Sequence, residues 1–514
     1  MKTPARIPFV LAVALLGAAA PTLAQTAAPL TDSQRVADPP NWPQFRGPGG
    51  TGVAADDANP PIEFGPEQNV LWKVASGTGH GSPCIWGNQI FLLAFDAKNK
   101  RGETLAFDRS SGTELWRRAL SFEALEKRGS PSGNRATATP ATDGERVYVY
   151  FGSYGLAAYT LDGQPAWERP LPAADIAFGS GTSPVVHDGS VLLSYGGLPE
   201  AALHALAARD GSPRWKAPLP PPPRLGGTHA TPVVWNGLVV VHDIGRAAAF
   251  DLRDGSPRWS VAAATNGTAT PVVHDSLLYL PGWNNDGDPS FMAPLPAWAE
   301  LVAKYDKNGD GKISKDECGP DLVISRRPDV PEEEKSAKYT VGQAFAYFDA
   351  DKDGGISEAE WEKALHEAKT WVEPHGLMAI KPGGTGDVTA THVAWIERKD
   401  VPEVPSPLVY RDRVYMVTNG GKVTCLNAKD GRVVFRGRLE APGEYYASPV
   451  AAAGRIYFAS RNGVVTVIEH GDALKILARN DLKARISASP AIVGEVLYVR
   501  TAAHLYAFRA PARL

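Results

Sequence analysis

Short apolar runs separated by turn residues recur along most of the chain, with the spacing of β-strands. Residues 231–243 read TPVVWNGLVVVHD, and residues 406–419 read SPLVYRDRVYMVTN. In each segment, two apolar runs flank a polar pair such as Asn236-Gly237. Asn and Gly accept positive φ at low cost, so this pair favours a hairpin turn. The pattern predicts a series of antiparallel hairpins.

Each hairpin begins with serine or threonine followed by proline, and this pair marks a repeat. The eight copies begin at Ser82, Thr139, Ser183, Thr231, Thr270, Ser406, Ser448 and Ser489. A second hairpin follows in most units, as in AFDRSSGTELW at 106–116. A four-stranded sheet of this size cannot bury both faces alone, so neighbouring sheets must stack on it. Radial stacking of such sheets is a β-propeller.

The spacing of the repeats predicts both a closed ring and an insertion. The last unit stops after the strand at 505–508, whereas the strand at 69–73 belongs to no unit. Pairing these two strands completes the eighth blade and removes the open edges. The fifth interval, from Thr270 to Ser406, is 136 residues, about 90 more than a normal unit. An additional element therefore interrupts the fifth unit.

Two segments of the insertion have the spacing of calcium-binding loops. Residues 306–317 read DKNGDGKISKDE and residues 349–360 read DADKDGGISEAE, and both match the EF-hand pattern D-x-[DN]-x-[DN]-G-x₅-E. Calcium takes six to eight oxygens, which alternate residues of a tight loop supply. The predicted metal ligands are Asp306, Asn308, Asp310, Lys312 and Glu317 in the first loop, and Asp349, Asp351, Asp353, Gly355 and Glu360 in the second. Lys312 and Gly355 would contribute backbone carbonyls.

Other positions of the two loops agree with this interpretation. Gly311 and Gly354 occupy the sharp turn at position six. Ile313 and Ile356 occupy position eight, where paired loops form a short two-stranded bridge. Apolar spacing predicts flanking helices, although Gly319-Pro320 shortens the helix that leaves the first loop. The alternative is a solvated acidic loop, but two matches 43 residues apart favour two structural calcium sites.

The N-terminus predicts export. Lys2 and Arg6 precede an apolar run at 7–20, and small residues follow as far as Ala24, as in a secretory signal peptide. The run is shorter than the roughly 20 residues needed to cross a bilayer. We therefore expect cleavage after Ala24 and a soluble periplasmic or extracellular protein. Loss of Lys2 and Arg6 changes the formal charge from −3 to −5, which favours neither nucleic acid nor an anionic membrane as partner.

The pattern A-x-D-x-x-[ST/D]-G-x-x-x-W resembles the tryptophan-docking motif of PQQ-type propellers. The stretch WPQFRGP at 42–48 also resembles exported members of the PQQ-binding-like repeat family. This family includes quinoprotein alcohol dehydrogenases and BamB-like assembly proteins, which bind no quinone. The similarity covers roughly residues 42–282 and 376–514. It implies the propeller fold and leaves the activity open.

The resemblance argues against bound PQQ. The enzymes of the family commonly hold PQQ in the central funnel over adjacent cysteines, beside a calcium ion and a catalytic Asp. Here Cys84, Cys318 and Cys425 are far apart, and the predicted calcium loops lie in the insertion. No catalytic residue is assigned. We favour a monomeric binding or scaffold protein for an envelope protein or polymer, with a quinoprotein dehydrogenase or another funnel-site enzyme as the alternative.

Residues just before each inner strand are expected to surround the funnel mouth, where they either form a polar ligand site or are ordinary loop residues. They are His80, Arg135, His229, Asn266, Tyr446 and Arg485. The predicted fold class is all-β, an eight-bladed propeller of four-stranded antiparallel blades with a small α-helical EF-hand insertion in blade five. The predicted divisions are a signal peptide at 1–24, an extended segment at 25–68, propeller at 69–282 and 376–514, and the insertion at 283–375.

Overall fold

The structure is a computed structural model, and it describes residues 41–127, 133–176, 178–197, 200–220, 227–283, 291–327, 337–370 and 375–511. The predicted signal peptide and its cleavage site after Ala24 lie outside the described residues. No helix within these ranges has the length and apolar character needed to cross a bilayer.

Eight sheets, each with four antiparallel strands, follow one another along the chain, as the repeats predict, and the fourth sheet gains a short fifth strand. The first four contain β2 (Cys84–Trp86), β3 (Gln89–Asp96), β4 (Arg101–Asp108) and β5 (Glu114–Ser121); β6 (Ala141–Thr142), β7 (Arg146–Phe151), β8 (Gly155–Thr160) and β9 (Pro165–Pro170); β10 (Val185–His187), β11 (Ser190–Tyr195), β12 (Ala202–Ala207) and β13 (Pro213–Pro218); and β14 (Val233–Trp235), β15 (Leu238–Asp243), β16 (Arg246–Asp251) and β17 (Pro257–Ala262).

The other four sheets include the interrupted sheet and the closing sheet. They contain β18 (Val272–His274), β19 (Leu277–Gly282), β24 (Gly376–Ile380) and β26 (Val393–Glu397); β27 (Leu408–Tyr410), β28 (Arg413–Thr418), β29 (Lys422–Asn427) and β30 (Val433–Arg438); β31 (Val450–Ala452), β32 (Arg455–Ala459), β33 (Val464–Glu469) and β34 (Ile476–Asp481); and β35 (Ala491–Val493), β36 (Val496–Arg500), β37 (His504–Phe508) and β1 (Val70–Ala75).

Burial of the strands follows from this stacking. The two middle strands of each blade are buried almost throughout, because both of their faces pack on neighbouring blades. Outer strands such as β5 alternate between exposed and buried residues, because one of their faces meets solvent. β1 pairs antiparallel with β37, from Val70 opposite Phe508 to Ala75 opposite His504. This pairing confirms the predicted closure of the ring.

Tryptophans of the outer strands join successive blades. The indole Nε1 of Trp116 donates to Leu161 O at 2.8 Å, and that of Trp167 donates to Ala208 O at 2.9 Å. A Cβ on Gly163 would lie 2.6 Å from the Trp116 ring. The glycine of the repeated motif is therefore required because the indole packs directly on its backbone.

Residues 41–69 form an N-terminal strap that crosses one end of the central channel. The strap bridges to the first inner strand at Trp42 and Ile85, and to the seventh at Val53 and Ala451. Arg46 is fully buried there and donates to Pro407 O at 2.7 Å. The sequence predicts an extended segment in this region but gives no sign of its path across the channel.

The chain leaves the fifth sheet after β19 and returns to it at β24. Between them lie α1 (Trp298–Tyr305), β20 (Ile313–Ser314), β21 (Val323–Arg326), β22 (Lys338–Thr340), α2 (Phe345–Phe348), β23 (Gly355–Ile356) and α3 (Glu358–Thr370). The connection from β24 to β26 contains β25 (Gly386–Asp387) and α4 (Thr389–His392). β25 pairs parallel with β17 of the preceding blade.

Candidate functional site

The second loop gathers carboxylates around a common point. Oxygens of Asp349, Asp351 and Asp353 lie within 4.8 Å of one another. Asp349 is buried, and its Oδ1 has no hydrogen-bond partner among the described residues. A buried carboxylate oxygen without a donor is unfavourable unless a cation satisfies it. An oxygen-only donor set of this kind suits a hard cation such as calcium.

Backbone amides shape this loop around the carboxylates. Gly354 N donates to Asp349 Oδ2 at 3.3 Å, and Gly355 N donates to Asp353 Oδ1 at 3.1 Å. Gly354 has a φ of +97°, which confirms the turn predicted at position six. The loop fold thus directs the acidic side chains inward.

The first loop has the same form. Gly309 N and Gly311 N donate to the two oxygens of Asp306 at 2.7 and 3.0 Å. Asn308 Nδ2 donates to Asp310 Oδ2 at 2.9 Å, so these two predicted ligands lie side by side. Gly311 has a φ of +78° at the turn. The first loop therefore holds Asp306, Asn308 and Asp310 in hydrogen-bonded turns like those of the second loop.

The final glutamate of each loop bonds to the loop backbone. Glu317 accepts from Ser314 N and Oγ and from the N–H groups of Lys307 and Asn308, which together lower its pKa to about 2. Burial acts to raise the pKa of Glu360, but hydrogen bonds from the Ser357 N–H and hydroxyl and from two loop amides outweigh it and lower the pKa. Both glutamates are therefore ionised at neutral pH, as calcium ligands must be.

The two loops are joined through their eighth positions. Ile313 pairs with Ile356 in the two-stranded sheet β20–β23, which confirms the predicted bridge. Both side chains are fully buried in one apolar cluster with Trp361 and Phe348. Lys312 Nζ of the first loop also forms a salt bridge with Asp353 of the second. Of the two predicted carbonyl ligands, Gly355 lies in β23 and Lys312 directly precedes β20.

The elements around the loops differ in part from the expected helix pairs. α1 and α3 lie where the apolar spacing predicts helices, but α2 is only four residues long. After the first loop the chain forms only a turn and then enters the hairpin β21–β22. Gly319-Pro320 accounts for the missing helix, because proline cannot continue a helical hydrogen-bond ladder. The hairpin was not predicted, since its strands are short and largely polar.

A cavity of about 440 Å³ occupies the centre of the propeller. The eight serine and threonine residues of the repeat line it as one ring, here called the hydroxyl ring. Ser82 N donates to Thr139 Oγ1 at 3.0 Å, and Thr139 N donates to Ser183 Oγ at 2.9 Å. The same bond links each further pair along the chain as far as Ser489. The repeated hydroxyl thus serves the contacts between blades.

Several of the predicted mouth residues line the cavity. They are His80, His229, Asn266 and Tyr446. Burial lowers the pKa of His229 to about 4, so this imidazole is neutral at neutral pH. Arg135 and Arg485 are not among the described residues of the lining; Arg135 instead stacks on Phe95 at 5.4 Å. Sequence reasoning missed two lining residues: Trp283, directly after β19, and Glu403, in the connection from β26 to β27.

Solved structures share this arrangement at low sequence identity. BamB from Moraxella catarrhalis is similar at 13% identity and a TM-score of 0.48, over 86% of this chain and 99% of that chain. The computationally designed Ika8 protein is similar at 8% identity and a TM-score of 0.50, over 86% and 100%. Quinohemoprotein alcohol dehydrogenase from Comamonas testosteroni gives 13% identity and a TM-score of 0.42, over 94% and 82%. No curated protein sequence matches the chain.

The eight blades and the paired loops define a PQQ-like β-propeller with an EF-hand insertion. The chain matches the EF-hand family over residues 303–317 and 342–366. It also matches the PQQ-repeat family described as outer membrane protein assembly factor BamB over residues 63–287 and 358–511. Because this match spans more than half of its length, the chain belongs to that family.

Proposed function

We propose that the chain is an exported, calcium-binding propeller that acts as a non-catalytic binding or scaffold protein of the cell envelope. Its propeller would comprise residues 69–282 and 376–514, and its calcium-binding insertion residues 283–375. The observation that carries calcium binding is Asp349 Oδ1, which is buried beside two further carboxylates and has no hydrogen-bond partner in the described part of the chain. The similar loop at 306–317 supports a second site.

The packing around the loops supports a stabilising role for calcium. Ile313 and Ile356 belong to the same buried cluster as Leu322 and Val341, which belong to the hairpin segment of the insertion. Calcium that binds only the folded loops would stabilise this whole cluster by mass action. The insertion would then keep its shape wherever calcium is plentiful.

Two observations support binding over catalysis. The matched family is described as an assembly factor, which suggests a protein or envelope polymer as partner. Cys84 and Cys425 lie in different sheets, and Cys318 follows the first loop. The three cysteines therefore do not form the pair of adjacent cysteines over which quinoprotein alcohol dehydrogenases commonly hold PQQ.

Calorimetric titration of calcium into the chelator-treated protein tests this proposal. We expect two binding events, with one lost in Glu317→Gln and the other in Glu360→Gln, because each change removes a bidentate ligand. Glu358→Gln is the matched control, because Glu358 lies in the first turn of α3 outside the ligand pattern. Titration without saturable heat, or variants that retain both events, would refute the calcium assignment.

A further inference from the structure

The cavity contains a second ring of side chains that varies between blades. It lies two residues before each member of the hydroxyl ring, and all eight of its positions line the cavity. Six of them carry hydrogen-bonding side chains: His80, Thr137, His229, Thr268, Tyr446 and Ser487. We call these eight positions the variable ring. The hydroxyl ring is constant because its hydrogen bonds join the blades. The residue types of the variable ring are not set by these bonds and differ from blade to blade, so they are suited to binding a ligand.

Aromatic groups and one ion pair complete the cavity wall. Phe178 is 56% exposed and lies edge-on to His229 at 6.0 Å between ring centroids. Among the described lining residues, Glu403 is the one acidic residue and there is no lysine or arginine, and Arg327 Nη2 pairs with Glu403 at 2.7 Å. The charge of that carboxylate is thus balanced from within the protein. A site with many neutral donors and acceptors, flat aromatic faces and no excess charge suits an uncharged polyol.

Arg327 belongs to the insertion and directly follows β21. Its guanidinium lies over the Trp283 ring at 5.4 Å and over the Phe291 ring at 5.5 Å, in addition to its bond with Glu403. Its side chain is only 11% exposed. The insertion therefore supports two residues of the cavity wall through one side chain.

We propose that the cavity binds an uncharged, sugar-sized polyol through the variable ring, and that Arg327 couples this binding to the calcium loops. The inference that a polyol binds depends only on the cavity. The inference that its binding is coupled to calcium rests on the proposed calcium-binding function. The volume of about 440 Å³ lies in the range of small-molecule sites. The paired isoleucines of the loops and Leu322 beside β21 share one buried cluster, which links the loops to Arg327. Coupling of this kind is reciprocal, so the polyol must also strengthen calcium binding.

The polyol site is tested by calorimetry on the calcium-loaded full chain with cellobiose and N-acetylglucosamine as probes. We expect saturable binding of at least one probe, weakened about tenfold in Thr268→Val and in Ser487→Ala, each of which removes a hydrogen-bonding group of the variable ring. Thr113→Val is the matched control, because Thr113 is exposed in the turn between β4 and β5. Glucuronate, of similar size but anionic, should bind more weakly. The polyol site is excluded if neither probe saturates or if the cavity variants bind like the control.

The coupling is tested by repeating the titration of the bound probe with calcium and with chelator. The wild-type chain should bind about fivefold more tightly with calcium, and Arg327→Met should remove this difference. Calcium titration of Arg327→Met should still give two events, because Arg327 lies outside both loops. If calcium binds but never changes the affinity for the probe, the coupling is wrong. If calcium does not bind at all, the proposed function fails together with the coupling, whereas the result for the polyol site stands.

Discussion

At the scale of single residues, three histidines make the fold sensitive to acid. Burial is the main cause that lowers the pKa of His204, His229 and His242 to about 4. His242 is held between Ala269 O, 2.7 Å from its Nδ1, and Thr265 Oγ1, 2.8 Å from its Nε2. These contacts suit a neutral ring that donates at one nitrogen and accepts at the other.

The sign of the pH dependence follows from these directions. The folded pKa lies below the unfolded value of about 6.5, so the unfolded chain binds more protons between these two values. The stability that depends on neutral histidines is fully present above about pH 6.5 and is lost as the pH falls towards about 4. The loss in the free energy of unfolding is about 1.4 kcal/mol per pH unit for each histidine. Urea unfolding at about pH 7 and about pH 5 measures how strongly the free energy of unfolding depends on pH. This dependence should be weaker in His242→Gln than in the wild type. The exposed His366→Gln is the control; equal slopes in the two variants would contradict this account.

At the scale of elements, the interface between the fourth and fifth blades departs from the other interfaces that contain a docking tryptophan. Trp259 is the docking tryptophan of β17, but its Nε1 is buried without an acceptor among the described residues. The connection that it faces contains β25 and α4 in place of a tight turn, and Trp259 lies opposite Gly386. The longer connection therefore replaces the indole hydrogen bond with backbone pairing.

This difference predicts unequal costs for the same substitution. Trp116→Phe removes both ring volume and the 2.8 Å bond to Leu161 O, whereas Trp259→Phe removes only volume. Both tryptophans are buried, at 8% and 4% exposure. We expect Trp116→Phe to lower the free energy of unfolding by about 1 kcal/mol more than Trp259→Phe. Chemical denaturation of the two variants measures the difference, and equal losses would show that the indole bond contributes nothing.

The elements that could be predicted from sequence are those with local signatures. The eight blades follow from the repeated Ser/Thr-Pro pairs, and the two loops follow from a twelve-residue spacing that depends only on the chain near the metal. The strap and the contact of Arg327 with Glu403 join residues far apart in sequence. The strands of the hairpin β21–β22 are close in sequence but too short to carry a strand pattern. Nothing in the neighbourhood of Arg327 indicates which carboxylate it meets. Only the folded structure shows that the insertion supports the cavity wall through Arg327.

At the scale of the whole molecule, the stability of the propeller depends on the seam where its two ends meet. Pairing of β1 with β37 supplies the backbone hydrogen bonds of this seam. Arg500, fully buried at the end of β36, crosses to the first blade and donates to Gly81 O and Leu93 O, both at 2.8 Å. A third contact reaches Ser76 O, directly after β1, at 3.3 Å. One guanidinium thus connects the last blade, the first blade and the closing strand.

Replacing this side chain should weaken the closure of the ring. Arg500→Met keeps much of the buried stem but leaves several buried carbonyls without donors, so we expect a loss of about 3 kcal/mol or more in the free energy of unfolding. Arg209→Met is the matched control, because the Arg209 side chain is 85% exposed and forms an ion pair with its neighbour Asp210. Such a surface change should cost less than about 0.5 kcal/mol. Urea unfolding followed by tryptophan fluorescence measures both variants. Because all blades share one closed ring, the loss should shift the entire transition, and a variant that unfolds like Arg209→Met would show that strand pairing alone holds the seam.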